Sequence, residues 1–69
     1  MGCQIRSQLS GTAEEILKTI VATTQEQVEA LRSNDHATLM RLDKELELLV
    51  GEKERTFGAL RQHAREHGC

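Results

Sequence analysis

Four residues of this chain are of the types that ligate transition metals, and they fall near its two ends: Cys3, His63, His67 and Cys69. His63 and His67 are four residues apart, a spacing that puts two imidazoles on one helix face, as in many zinc sites. An antiparallel return of the chain would bring Cys3 to the same end and complete a tetrad. The pattern H-x3-H-x-C matches no established closed site, and disorder concentrates at chain ends. Solvated terminal histidines are therefore the simpler reading, and no metal or other cofactor is expected. The two thiols offer a disulfide in an oxidising medium, but two cysteines are not the dense framework of a secreted disulfide domain. His36 reads as a solvated first-turn residue.

Catalysis finds little to work with. The carboxylates sit at helix-surface spacings, and Glu14–Lys18, Arg41–Glu45 and Glu52–Arg55 read as exposed side-chain pairs of a few tenths of a kcal/mol each. There is no Glu-x-x-His motif of the carboxylate-bridged metal bundles and no glycine-rich phosphate loop. A chain of 69 residues folded as two helices offers no cavity of its own. The reading is non-enzymatic.

Nine Lys and Arg against eleven Asp and Glu give a net charge of −2. Binding to nucleic acid needs several cations converging on one face. Arg41, Lys44, Arg55, Arg61 and Arg65 are the candidates, with acids interspersed among them. Nucleic acid is thus a minor alternative, in the form of a small dimeric hairpin that grips structured RNA. The longest apolar run is far below the roughly 20 residues of a membrane span, and no signal-peptide pattern is present. Gly2-Cys3 resembles a lipidation start, yet Arg6 stands where that motif takes Ser or Thr. A cytoplasmic location is expected.

The elements that must position these residues are helices. There is no proline, no tryptophan and no tyrosine, and Phe57 is the lone aromatic. Strands favour aromatic and β-branched residues, and proline is the strongest helix breaker. Ser33-Asn34-Asp35 is the clearest break and reads as the turn of a hairpin. Thr12-Ala13-Glu14-Glu15 matches a capping box, which predicts helix 1 over about 13–32. Ile5 and Leu9 either extend that helix through Gly11 or form a separate turn, so residues 1–11 are left open. Leu17, Val21, Thr24, Val28 and Leu31 step by 4 and 3 and predict the core-facing stripe of helix 1, widened by Ile16 and Ile20.

Helix 2 is predicted over about 36–66, with Asn34 or Asp35 as cap. Leu39, Leu42, Leu46 and Leu49 form its seam. Continuing the same step would bury Lys53 and Thr56, so the stripe is expected to shift to Val50, Phe57, Leu60 and Ala64. Gly51 and Gly58 are seven apart on one face, either as tolerated surface glycines or as a point of close helix approach. Gly68 suits a helix C-terminus.

The stretch from Gln25 to Leu49 resembles the helical hairpin of bacterial flagellar and type III export chaperones. Leu31, Asp35, Leu39, Leu42, Glu45 and Leu49 carry the resemblance, which extends over Glu15 to Arg65. It implies cytosolic binding of an aggregation-prone helix of an export substrate. It makes Leu39, Leu42, Leu46 and Leu49 hairpin core and transfers no client-binding residue.

The fold expected is all-α, a single domain over 1–69: an antiparallel two-helix hairpin that dimerises into a four-helix bundle. Two helices packed only on each other offer one seam, and that seam cannot hide all the apolar surface present. The surplus, at Ile20, Met40, Val50, Phe57 and Leu60, predicts an interaction face. Its expected partners are a second copy, as a homodimer or higher oligomer, and an amphipathic helix of another protein. The function expected is that of a protein–protein interaction module of chaperone-like type. The RNA-binding hairpin and a metal-binding module at the terminal His and Cys residues are the alternatives.

Overall fold

The computed structural model describes residues 2–68, with side chains from residue 4 onward. Two helices account for nearly all of it, α1 over Gly2–Arg32 and α2 over His36–His67. They lie antiparallel in a rod of 49 × 14 × 11 Å. The all-α hairpin expected from composition is the fold observed.

The turn is where local chemistry is most explicit. Asn34 adopts a left-handed φ of 59°, a conformation that Asn tolerates better than most residues. Its N–H donates to Leu31 O at 3.1 Å, and the Asp35 N–H donates to Ala30 O at 2.8 Å. This pair of bonds is a Schellman close, which satisfies carbonyls that the end of α1 would otherwise leave open. Asp35 then caps α2: its Oδ1 accepts from Thr38 N at 3.1 Å and its Oδ2 from Thr38 Oγ1 at 2.7 Å. One three-residue break thus ends one helix and starts the next. At the far end Gly68 takes φ 69°, and its N–H donates to Ala64 O.

One open question is settled and two expectations about the helices change. Thr12 is not a cap, and of the two courses left open for residues 1–11 α1 takes the continuous one. It runs unbroken from Gly2 through Gly11, and Thr12 Oγ1 donates back to Gln8 O at 3.1 Å as a mid-helix residue. One helical glycine costs about 1 kcal/mol, and continuing α1 gives the 32-residue α2 a 31-residue partner along its length.

The seam of α1 also lies one residue away from the expected stripe. The residues shielded from solvent are Leu9, Ala13, Ile16, Ile20, Thr23, Gln27 and Ala30, again stepping by 4 and 3. Ile16 and Ile20, expected at the edge of the stripe, belong to the seam. α1 carries two apolar lines one residue apart, and α2 takes the one that includes Ala13, Thr23 and Ala30. Small residues there let the helices approach and leave room for the leucines of α2.

On α2 the seam does not shift after Leu49. It continues through Lys53, Thr56, Leu60 and His63, all buried or half-buried, while Phe57 stays at the margin. A lysine can occupy such a place because its four-carbon stem covers apolar surface while the ammonium stays in water. Leu42 is the most enclosed side chain, 2% exposed. Gly51 and Gly58 are not points of close approach within the hairpin. A Cβ at Gly58 would meet nothing within 4 Å, and one at Gly51 would meet only the Arg55 guanidinium at 3.6 Å.

Candidate interaction surface

Of the candidate metal ligands, His63 and His67 stand together near the C-terminus of α2. Their ring centroids are 4.6 Å apart with the planes tilted by 40°. His63 is not a frayed surface residue: it is 8% exposed, as the last turn of the seam. Cys69 and the side chain of Cys3 lie outside the described residues. Among the described residues, no cluster of three or more His, Cys, Asp or Glu side chains is placed to hold an ion.

The carboxylates form surface pairs. Lys18 Nζ holds Glu14 at 3.2 Å and lies 3.9 Å from Glu15, and Arg32 holds Glu29 at 3.1 Å. The hydrogen bond and charge of Glu14, with Glu15 beyond it, raise the Lys18 pKa above its ordinary value. The expected Arg41–Glu45 and Glu52–Arg55 pairs do not form among the described residues. The Arg55 guanidinium lies back over Gly51 instead. The five basic candidates on α2 are all exposed but do not converge. At 100° per residue, Arg41 and Arg55 share one flank of the helix, Arg61 and Arg65 share the opposite flank, and Lys44 points directly away from α1.

The two broad faces of the hairpin differ in character. One carries an open groove of about 610 Å³ beside the turn, lined by polar and acidic side chains that include Gln25, Glu26, Glu29 and Asp35. The same face continues past Thr19 and Thr23, which line a shallower hollow with Glu45, Leu48 and Glu52. Those contacts fix which flank of each helix belongs to that face. The opposite flanks, by the same 100° rotation, carry Leu17, Val21, Thr24, Val28 and Leu31 on α1 and Val50 and Phe57 on α2.

On this second face Leu17, Val21, Val28 and Leu31 are 41–60% exposed. They are the line that spacing alone marks as helix 1's core, and the hairpin leaves it uncovered. Of the five residues expected to form the interaction face, Ile20 and Leu60 are half-buried in the hairpin seam. Val50 is half-buried at the margin, Phe57 is 38% exposed beside it, and Met40 is 61% exposed farther round α2. Leu17, Val21, Val28 and Leu31 are the additions. Their heptad spacing is visible in the sequence. Which of two adjacent lines faces α2 is decided by the size of the residues in the other line.

Comparison with known proteins finds no match: no family model fits the chain, and no curated protein and no solved structure matches it.

Proposed function

We propose that this chain is a non-enzymatic protein–protein interaction module whose first partner is itself, two hairpins joining through their apolar faces into a four-helix bundle. The observation that carries the reading is the uncovered line Leu17, Val21, Val28 and Leu31, at the 4 and 3 spacing of a helix-packing seam. A surface helix exposes apolar residues singly as a matter of course, but a line of four with Val50 on the same face of the hairpin is more than that. The surface itself supports the same reading. A compact monomer of this mass exposes roughly 4300 Å², whereas this hairpin exposes 5177 Å². The surplus, roughly 850 Å², is of the order that each partner contributes to an interface of standard size.

Sedimentation equilibrium over a wide concentration range tests the proposal. The expected result is reversible self-association, abolished by Val21→Glu with Val28→Glu. A wild-type hairpin that stays monomeric up to millimolar concentration overturns it.

A further inference from the structure

We propose that the two copies meet through α1 alone at the centre of the interface, antiparallel, about a two-fold axis beside Thr24. This rests on the self-association reading above and specifies the contact it uses. The uncovered line reads the same in both directions: Leu17, Val21, Thr24, Val28, Leu31. Across a two-fold interface residue i of one copy meets residue j of the other, and j meets i, so a line whose residue types are symmetric about its centre sets like against like in shape. Reversing α1 about Thr24 brings Leu17 level with Leu31 of the second copy. It brings Val21 within one residue of Val28 of the second copy.

Two further features select α1 over α2 for the axis. The same face of α2 carries Asp43 and Glu47 between Met40 and Val50. A two-fold axis centred there would set carboxylates against carboxylates. The line on α1 holds no carboxylate, and the cations that border it are matched within the helix, Lys18 by Glu14 and Arg32 by Glu29. The polar residue on the axis is satisfied too. Thr24 Oγ1 donates to Ile20 O at 2.8 Å, so burial against a second helix strands no hydroxyl.

The register predicts a staggered dimer. The line from Leu17 to Leu31 lies in the half of α1 nearer the turn. Overlaying it on its reversed copy sends the first half of each α1 past the other copy's turn. The assembly is then roughly 65 Å long at 1.5 Å per residue, against 49 Å for one hairpin. Phe57, two turns of α2 beyond Val50, falls outside the overlap.

Disulfide trapping tests the geometry on the full chain with Cys3→Ser and Cys69→Ser as background. Under mild oxidation Thr24→Cys should cross-link to a dimer at least tenfold faster than Arg55→Cys, on the flank facing away. A mixture of Leu17→Cys and Leu31→Cys chains should give the mixed dimer in excess over either like pair. Sedimentation of the unmodified chain runs alongside. Self-association without preferential Thr24→Cys trapping overturns the register and leaves the self-association reading standing. A monomer in sedimentation overturns both. A dominant Leu17→Cys like pair means the helices run parallel and also overturns the proposal.

Discussion

Ile16 and Leu17 are neighbours in the chain and belong to different faces: Ile16 is 7% exposed in the seam against α2, and Leu17 is 41% exposed on the uncovered line. One residue of rotation separates what holds the hairpin from what the hairpin offers. Truncating each should therefore have different consequences. Ile16→Ala removes apolar contact from the seam and should cost about 2 kcal/mol, a large share of the roughly 3–5 kcal/mol that a core this small supplies. Its helical circular dichroism should melt earlier at every protein concentration. Leu17→Ala should chiefly weaken the concentration dependence of the melt. Equal losses for both variants in dilute solution would contradict the assignment of faces.

The ambiguity between those two faces shows how far the residues alone could be read. The turn was legible to the residue, because Ser, Asn and Asp in succession have few other uses and Asn34 takes the left-handed conformation such a turn needs. The all-α class was equally plain. The register of α1 was not, since Ile16 and Ile20 run beside Leu17 and Val21 with identical spacing and similar bulk. Only the complementarity of Ala13, Thr23 and Ala30 to the leucines of α2 separates them, and that is a property of the pair of helices. The continuation of α2's seam through Lys53 and Thr56 was hidden for a related reason. A seam already anchored by Leu42, Leu46 and Leu49 carries a lysine stem and a threonine past the point where hydrophobicity stops. The capping box at Thr12 goes unused, because capping residues act only where a helix begins and α1 is already under way before it.

Asp35 should make the hairpin acid-sensitive in a traceable way. Hydrogen bonds from the Thr38 side chain and then from its backbone N–H hold the Asp35 carboxyl below its ordinary pKa. A group depressed in the folded state adds stability above its unfolded pKa, about 3.9, and loses it as pH falls through the folded value. Asp35→Asn keeps an acceptor for Thr38 N but carries no charge, so it should melt somewhat below wild type at neutral pH. The difference between the two melting curves should shrink as pH falls below about 3.9, because only the wild type loses its cap charge there. Asp35→Ala should melt earlier than both at neutral pH. A wild-type minus Asp35→Asn difference that does not change with pH would dissociate the cap from the titration.

Glycines inside α1 and α2 should be replaceable at a gain. A Cβ at Gly11 or at Gly58 meets nothing within 4 Å, and alanine restricts the unfolded chain more than glycine does. Gly11→Ala and Gly58→Ala should each add about 0.5–1 kcal/mol, or roughly 5 °C in melting temperature for a domain of this size. Gly68→Ala should act in the opposite direction, because its φ of 69° is left-handed and a Cβ is strained there. A loss at Gly58→Ala would indicate that a second helix approaches that glycine closely.

Thr24 is the one polar member of the uncovered line, and its replacement gives the most direct reading of what that line does. Its hydroxyl is turned back to Ile20 O, so the side chain offers its methyl outward and the hydroxyl takes no part in the seam. Thr24→Val substitutes a second methyl for the hydroxyl, keeps the β-branched shape and its preferred rotamer in a helix, and makes the line wholly apolar. Within one hairpin the change is on an exposed face, so the thermal melt in dilute solution should move little. In a dimer the axis places both copies of residue 24 at the centre, and each gains apolar contact. At about 0.5–1 kcal/mol per copy, self-association should tighten roughly tenfold, since each 1.4 kcal/mol is a factor of ten. Sedimentation equilibrium of Thr24→Val beside wild type measures that ratio. An unchanged association constant would place residue 24 away from the centre of whatever contact the hairpins make.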